Sequence, residues 1–222
     1  MVIRVVVVDD EALVRSGLRL ILGSAEDIEV VASCEGVQAV EQVYRHRPDV
    51  LLLDLRMPRV DGLAVLRELG RRPGAPAVAM LTTFDTDGFI AQALSLGAAG
   101  FLLKDTEPEQ LIRAVRVLAT GGSVLSPTVT STVIGGYLGA AAQPEVVARI
   151  AAMTVREHDV LALVGQGLSN ADIGHRLHVS TATVKDYVSA VLTKLAVSNR
   201  VQAAVLARQA GFVPSPGWDD EA

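Results

Sequence analysis

The stretch Val50–Asp54 joins an uninterrupted apolar run of four residues to a carboxylate. Such a run predicts a strand that is buried on both faces, as in the middle of a parallel sheet. Ligand sites in open α/β sheets lie at the carboxyl ends of the strands, which is where Asp54 stands. A lone aspartate in this position is more often the start of a turn or the cap of a helix. The role of Asp54 therefore depends on which residues end the neighbouring strands.

Residues 1–120 alternate short apolar runs with segments of helical spacing, which is typical of βα units. The five runs are Ile3–Val8, Ile28–Val31, Val50–Leu53, Ala77–Leu81 and Gly100–Leu103. They predict an α/β domain with a five-stranded, doubly wound parallel sheet. Right-handed crossovers favour the strand order 2-1-3-4-5, in which the carboxyl ends of strands 1, 3, 4 and 5 share one rim.

The residues at this rim form a set that suits phosphoryl transfer. Strand 1 is followed by Asp9, Asp10 and Glu11, strand 3 by Asp54, strand 4 by Thr82 and Thr83, and strand 5 by Lys104. Clustered carboxylates repel one another unless a cation lies among them, and oxygen ligands without histidine or cysteine select Mg²⁺ or Mn²⁺. The lysine and the threonine would remain to bind an anion. Helix caps and a surface lysine explain any one of these residues, but a phosphoryl-transfer site with Asp54 as nucleophile explains the set.

Residues 154–212 have a purely helical pattern. Thr154 and Glu157 have the spacing of a capping box, and Asn170 and Ser180 are predicted to cap a second and a third helix. The third helix is apolar on one side, at Val184, Val188, Val191, Leu192 and Leu195. A short helix, a tight turn and a longer helix with a polar side predict a helix-turn-helix. A small bundle with a hydrated polar face is the alternative.

The segments on either side of the helical region, and the distribution of charge along the chain, further divide it into domains. Residues 121–153 are rich in glycine and alanine and predict a linker, with short helices considered at Val124–Leu138 and Pro144–Ala152, and residues 213–222 predict a disordered tail. The net charge of −5 is made up of −4 over residues 1–120, 0 over residues 121–153, +2 over residues 154–212 and −3 over residues 213–222. The positive charge of residues 154–212 favours nucleic-acid contact there. Apolar runs are too short for a bilayer or a signal peptide, and a single Cys34 fits a reducing compartment, so we expect a soluble, cytoplasmic protein.

Residues 1–120 resemble the receiver domain of two-component response regulators through the segments VVVDDE, DLRMPRVDG, MLTTFD and GAAGFLLKD. The resemblance implies a flavodoxin-like fold in which Asp54 accepts a phosphoryl group from a phosphohistidine on a sensor histidine kinase. It implies that Mg²⁺ is held by Asp9, Asp10, Asp54 and the backbone carbonyl of Arg56.

The same resemblance assigns three further residues. Thr82 and Lys104 would bind phosphoryl oxygens. Phe101 matches the switch aromatic of the family, which is expected to turn inward when Thr82 is drawn toward the phosphate.

The segment LVGQGLSNADIGHRLHVSTATVKDYVSAVLTKLAVSNRVQAAVLA is similar to the LuxR-type DNA-binding domain, so the whole chain resembles a NarL/FixJ-type response regulator. The resemblance implies that the helix from Thr181 enters the major groove of promoter DNA. The expected DNA-binding residues are Thr181, Thr183, Lys185, Asp186, Ser189 and Lys194. Asp186 departs from the neutral or basic residue usual there and can only accept a hydrogen bond, for example from cytosine N4. Ala196 replaces a common glycine, and a positive φ would cost it about 1 kcal/mol.

The last helix, predicted at Arg200–Ala210, pairs subunits in related domains, so Val201 and Val205 are the predicted homodimer surface. Packing of this helix onto its own domain is the alternative. With a net charge of only +2, a monomer is expected to bind DNA with modest affinity and a shallow salt dependence.

The leading hypothesis is a DNA-binding transcription regulator, switched by phosphorylation of Asp54, which catalyses only its own phosphorylation and dephosphorylation. A Mg²⁺-dependent phosphohydrolase with a covalent aspartyl intermediate is a second hypothesis. That enzyme would need a general acid near Asp54, and Arg56 occupies the obvious position. A regulator with a vestigial pocket is the third, disfavoured because no pocket residue is missing.

Overall fold

The computed structural model describes residues 2–71, 74–83, 87–125, 144–197 and 199–212. The chain divides into two compact units, residues 1–132 and residues 133–222. The first contains a parallel sheet flanked by helices, and the described part of the second is helical. Among the described residues, no helix has both the length and the apolar character that crossing a bilayer requires.

Six strands form the sheet of the first unit: β1 (Ile3–Val8), β2 (Ile28–Cys34), β3 (Val50–Asp54), β4 (Ala77–Thr82), β5 (Gly100–Leu103) and β6 (Val124–Leu125). All neighbouring strands are parallel, in the order β2-β1-β3-β4-β5-β6. The five predicted strands and their order are confirmed.

The short strand β6 was not predicted. It pairs with the edge strand β5, and it lies in the segment where a helix over Val124–Leu138 had been considered. The rest of that segment lies outside the described residues.

In the described part of this unit, five α-helices accompany the sheet: α1 (Ala12–Gly23), α2 (Ala39–His46), α3 (Gly62–Gly70), α4 (Asp87–Ser95) and α5 (Pro108–Ala119). On one face of the sheet, Val5 and Val7 pack in a cluster with Leu22 of α1 and Val115 of α5. The alternate residues of β1 and β3 are fully buried as well. Burial on both faces explains why these strands are continuous apolar runs rather than alternating ones.

The described part of the second unit contains five helices: α6 (Pro144–Ala151), α7 (Val155–Gly165), α8 (Asn170–Leu177), α9 (Thr181–Leu195) and α10 (Arg200–Gln209). All five contribute to one apolar core, for example through Ile150, Leu161, Ile173, Val188 and Ala203. The helix considered at Pro144–Ala152 is present as α6. It packs with this core although it lies N-terminal to residue 154, where the predicted helical domain begins.

Local sequence sets the helix starts of this unit. The capping box of Thr154 and Glu157 is present, and the Ser180 hydroxyl accepts the N–H of Thr183 at the start of α9, so both predictions are confirmed. The predicted cap at Asn170 is wrong. Ser169 caps α8 instead, because its hydroxyl accepts the N–H of Asp172 while the Asp172 carboxylate accepts the N–H of Ser169.

Candidate functional site

Lys104 lies among three carboxylates at the rim of the sheet. Its Nζ is 2.8 Å from Oδ2 of Asp9, 3.1 Å from Oε1 of Glu11 and 3.2 Å from Oδ2 of Asp54. Lys104 directly follows β5, and its backbone N–H donates to the carbonyl of Thr82 at 2.9 Å. Asp9, Asp54 and Thr82 are 0%, 4% and 5% exposed. The parallel topology thus brings together four residues that are far apart in the sequence.

The electrostatics of this cluster follow from burial and from the shared ammonium. Burial, and then the negative charge of Asp9, raise the pKa of Asp54, although Lys104 and the backbone N–H of Arg56 partly offset this. Burial would lower the pKa of Lys104, but its contacts with Asp9, Asp54 and Glu11 outweigh burial and raise it. The lysine is therefore held in its charged form, and Asp54 is a desolvated carboxyl group with increased basicity.

Asp10 and Arg56, the other two predicted metal ligands, have different partners. Oδ1 of Asp10 accepts the backbone N–H of Gly36 at 3.0 Å. The backbone N–H of Arg56 lies 3.4 Å from Oδ1 of Asp54, and its guanidinium carbon is 5.6 Å from the centre of the Phe89 ring. Among the described residues, Lys104 forms ion pairs with Asp9, Glu11 and Asp54 but not with Asp10.

The donor types at the rim suit Mg²⁺. They are carboxylate and carbonyl oxygens, and Oδ2 of Asp9 is fully buried without a well-directed hydrogen bond, although the ammonium of Lys104 is near. The described side chains do not, however, form a complete acidic ligand group. Lys104 occupies the neighbourhood of Asp9 and Asp54, and Asp10 is engaged with Gly36. The oxygen donors are of the kind that bind Mg²⁺. In this structure, however, the carboxylates of Asp9 and Asp54 are neutralised by Lys104.

Thr82 and Phe101 lie on the neighbouring strands β4 and β5, where Phe101 pairs with Met80 and Thr82 pairs with Leu103. Among the described residues the Thr82 hydroxyl has no hydrogen-bond partner, so it can turn toward a bound anion at little cost. The ring of Phe101 is fully buried. The structure therefore has the inward position of this aromatic side chain that the receiver resemblance associates with the phosphorylated form.

Two residues of the rim were not predicted as site residues. Glu11, which was expected at the end of strand 1 but was given no role, is the third carboxylate at Lys104. Gly62 begins α3, and a Cβ atom there would lie 2.3 Å from the backbone oxygen of Asp54. Only glycine allows α3 to approach the end of β3 this closely. The Asp61-Gly62 pair in the sequence indicated a turn but not this contact.

In the second unit, α8 and α9 form the predicted helix-turn-helix. Three residues, 178–180, connect them, and His178 adopts a left-handed φ of 57°. The N–H of Val179 donates to the carbonyl of Gly174 at 3.0 Å, and a Cβ atom on Gly174 would lie 2.8 Å from the Val179 oxygen. Glycine in α8 thus permits the tight turn that orients α9.

The polar side of α9 contains most of the predicted DNA-binding residues. Thr181, Lys185, Asp186 and Ser189 are exposed, whereas Val184, Val188, Val191 and Leu195 are buried on the opposite side. Lys185 forms no ion pair with any described residue. Over 15 residues, α9 is about 22 Å long, which is long enough to place its first two turns in a major groove.

Thr183 and Lys194, the other two predicted DNA-binding residues, have partners within the protein. The Thr183 hydroxyl lies 2.8 Å from that of Ser180. Nζ of Lys194 lies 2.6 Å from Oε2 of Glu157 at the start of α7. Lys194 therefore differs from Lys185, which forms no ion pair with any described residue.

Beyond α9, the chain turns at Ala196, whose φ is 56°, as predicted for this glycine-like position. On α10, Val201 is 7% exposed and Val205 is partly exposed. Val201 therefore packs inside its own domain and offers little surface to a partner, so of the two predicted dimer residues only Val205 is accessible. Arg200 is buried and donates to Oδ1 of Asn170 at 3.0 Å and to the carbonyl of Leu168.

Family models match both units. The response regulator receiver domain matches residues 5–116, and the model of bacterial regulatory proteins of the luxR family matches residues 151–207. The second match includes α7 to α9 and most of α10.

Whole-length relatives have the same combination of domains. The chain is 37% identical to the transcriptional regulatory protein DegU of Brevibacillus brevis, with 95% of each chain covered. It is 34% identical to the nitrate/nitrite response regulator protein NarL of Escherichia coli K12, with 92% of this chain and 94% of NarL covered. The crystal structure of ChrA, from a heme-sensing two-component system, is 36% identical with a TM-score of 0.52, and the alignment covers 95% of this chain and 98% of ChrA. With its receiver rim, its helix-turn-helix and these relatives, the chain belongs to the NarL/FixJ-type response regulators, which are DNA-binding transcription regulators.

Proposed function

We propose that this transcription regulator is switched by transfer of a phosphoryl group from a phosphohistidine of a sensor histidine kinase to Asp54. The observation that carries the proposal is the position of Lys104, whose ammonium lies 3.2 Å from Asp54 and 2.8 Å from Asp9. A buried carboxylate beside a fixed cation can act as a nucleophile toward an anionic phosphoryl group, because the cation offsets the repulsion between them.

The transfer itself can be written in terms of the residues at the rim. A carboxylate oxygen of Asp54 attacks phosphorus and forms an acyl phosphate, while the P–N bond of the phosphohistidine breaks and the imidazole nitrogen leaves with the bonding electron pair. The raised pKa of Asp54 reflects a carboxylate of increased basicity, which favours attack. The ammonium of Lys104 and the hydroxyl of Thr82 would then bind oxygens of the transferred group.

Mg²⁺ belongs to this proposal as a cofactor. Asp9, Asp10, Asp54 and the carbonyl of Arg56 would hold it, and when bound it would neutralise charge on the phosphoryl oxygens. Because a carboxylate has two oxygens, Asp10 can bind the ion through one of them while Oδ1 accepts the N–H of Gly36. The burial of both Asp9 and Asp54 at one rim supports a requirement for positive charge there, which Lys104 meets only in part.

The switch is proposed to act through Thr82 and Phe101. A phosphoryl dianion on Asp54 would draw the Thr82 hydroxyl toward it and stabilise the inward position of the Phe101 ring. A ligand shifts an equilibrium only by its different affinity for the two states, and the Thr82 contact provides that difference. The phosphorylated form would favour a homodimer, with Val205 as the accessible residue of the predicted α10 surface.

DNA recognition is proposed for the exposed side of α9. Thr181, Lys185, Asp186 and Ser189 would face base edges in the major groove of a promoter, and Thr183 would support the first turn. Two half-sites bound by a dimer would compensate for the low positive charge of one helical domain. The protein would act in the cytoplasm, where bacterial promoter DNA is found.

The test is replacement of the acceptor. Asp54→Asn should abolish incorporation of labelled phosphate from acetyl phosphate with Mg²⁺, since the amide oxygen is a poor nucleophile. Asp105→Asn removes an exposed carboxylate from the residue next to Lys104 and should leave incorporation intact. Unchanged labelling of the Asp54→Asn protein would disprove the assignment of the acceptor.

A further inference from the structure

Lys194 lies at the C-terminal end of α9, the proposed recognition helix, whereas the exposed residues proposed to face DNA lie toward its N-terminal end. It lies in the last turn of α9, and Oε2 of Glu157, its partner, belongs to the first turn of α7, 37 residues earlier in the chain. The Glu157 side chain is only 8% exposed, whereas that of Lys194 is 40% exposed. The pair therefore joins a buried carboxylate to an ammonium at the surface.

The Glu157 oxygen that binds Lys194 also accepts two other hydrogen bonds. Its Oε2 also accepts the backbone N–H of Thr154 at 2.7 Å and the Thr154 hydroxyl at 2.9 Å. The hydrogen bond from Lys194, followed by the N–H and the hydroxyl of Thr154, lowers the pKa of Glu157 to about 2. The carboxylate is thus ionised at neutral pH and depends on the lysine as its cationic partner.

A second contact fixes the same end of α9. Nη1 of Arg149, on α6, donates to the carbonyl of Leu195 at 3.0 Å. The last turn of the recognition helix is therefore held by α6 through its backbone and by α7 through the Lys194 side chain. Cations at this end also interact favourably with the helix dipole.

From this geometry we propose that Lys194 and Glu157 are positioning residues for DNA binding, and that Lys194 does not itself contact DNA. The ion pair fixes the C-terminal end of α9, so that the exposed residues of its N-terminal half keep their orientation. This inference rests on the proposed role of α9 in DNA recognition, and it assigns to Lys194 a different role from that of Lys185.

Charge gives a physical reason to separate the two roles. The Glu157–Lys194 pair is neutral, so it contributes no net positive charge to the displacement of counterions from DNA. Release of Lys194 to a phosphate would leave a buried carboxylate without its partner, which is unfavourable. Each phosphate neutralised by a cationic side chain changes the slope of log K against log salt by about 0.9. Lys185 should contribute to this slope and Lys194 should not.

The two roles predict opposite effects for Glu157→Gln. Glutamine at this position can retain the capping-box contact with Thr154 while the ion pair is lost. If Lys194 positions α9 through Glu157, the substitution should weaken DNA binding, by about tenfold. If Lys194 contacts phosphate, removal of a nearby negative charge should tighten binding.

The experiment uses the full chain and a labelled duplex that the unsubstituted protein enriches from a random-sequence pool. Dissociation constants and salt slopes are measured for Glu157→Gln, Lys194→Met and Lys194→Arg. Asp159→Asn is the matched control, because it removes a carboxylate from a surface ion pair with Arg156 on the same helix. Titration of the active protein fraction with excess duplex separates unfolding from a weaker dissociation constant.

We expect Glu157→Gln and Lys194→Met to weaken binding without a change in salt slope, and the double variant to be no weaker than Lys194→Met alone. Lys194→Arg should retain affinity, and Asp159→Asn should behave like the unsubstituted chain. Tighter or unchanged binding by Glu157→Gln, or a slope reduced by about 0.9 in Lys194→Met, would overturn the inference. Failure of the chain to enrich any duplex would instead contradict the proposed function.

Discussion

In the receiver domain, Nζ of Lys104 lies 3.2 Å from Oδ2 of Asp54, and the two side chains are only 11% and 6% exposed. The lysine partly offsets the burial and the Asp9 charge that raise the pKa of Asp54. Lys104→Met should therefore raise the pKa of Asp54 further. Carbon-detected NMR titration of the Asp54 carboxyl group would measure this change.

The same variant should alter the pH dependence of stability. Because the folded pKa of Asp54 lies above the unfolded value of about 3.8, the native state binds more protons, and stability is lost as pH rises from that value through the folded pKa. In Lys104→Met this loss should extend to higher pH. Glu11→Gln is the control, since Glu11 contacts Lys104 but is not among the groups that shift Asp54. An Asp54 pKa that does not rise in Lys104→Met would contradict the electrostatic role given to the lysine.

Lys185 is exposed on α9 and forms no ion pair within the described part of the chain. Lys185→Ala should weaken DNA binding and reduce the salt slope by about 0.9, because one phosphate or base contact by a cation is lost. Phosphorylation of Asp54 should be unaffected. Fluorescence anisotropy at several salt concentrations, beside acetyl phosphate labelling, would measure both. Arg113→Ala removes the same charge from the receiver domain and serves as the control, and loss of both activities in Lys185→Ala would mean that the domain roles are misassigned.

Phosphorylation is expected to change the oligomeric state. Mg²⁺ with beryllofluoride, which imitates a phosphoryl group on a carboxylate, should shift the full chain from monomer toward dimer in sedimentation velocity. Asp54→Asn should not respond, and Val205→Glu should reduce the shift because it puts a charge on the accessible part of α10. A sedimentation profile that beryllofluoride leaves unchanged would argue against dimerisation driven by phosphorylation.

Ala196 ends α9 with a φ of 56° and donates its N–H to the last turn of the helix. An alanine in the left-handed region is strained, so Ala196→Gly should stabilise the helical domain by about 1 kcal/mol. Hydrogen exchange of peptides from α9 would report this as slower opening. Ala190→Gly, in the middle of the same helix, should have the opposite sign and a similar size. Faster exchange in Ala196→Gly would show that the strain is relieved in another way.

Much of the site was predictable because the strand topology alone brings its residues to one edge of the sheet. The apolar run Val50–Leu53 indicated a central strand, and parallel pairing then brought Asp9, Asp54 and Lys104 to one rim irrespective of side-chain detail. Helix starts were also predictable where both partners are local, as for Thr154 and Glu157, three residues apart. These features depend on the periodicity of apolar residues, the spacing of capping residues and the handedness of strand crossovers, all of which can be predicted from the sequence.

Other features depend on how elements pack, and local sequence did not contain them. Asparagine is a common helix cap, but the cap of α8 is Ser169. The side chain of Asn170 instead accepts a hydrogen bond from buried Arg200, 30 residues later. Lys194 stands in a helix whose other side is polar, yet it pairs with Glu157 of α7. The direction of a long side chain is set by the angle and distance between packed helices, and periodicity in one helix does not encode these. The sequence by itself thus determined that Asp9, Asp54 and Lys104 meet at one rim and that the second unit has a helix-turn-helix, while the tertiary structure decided which charges neutralise one another.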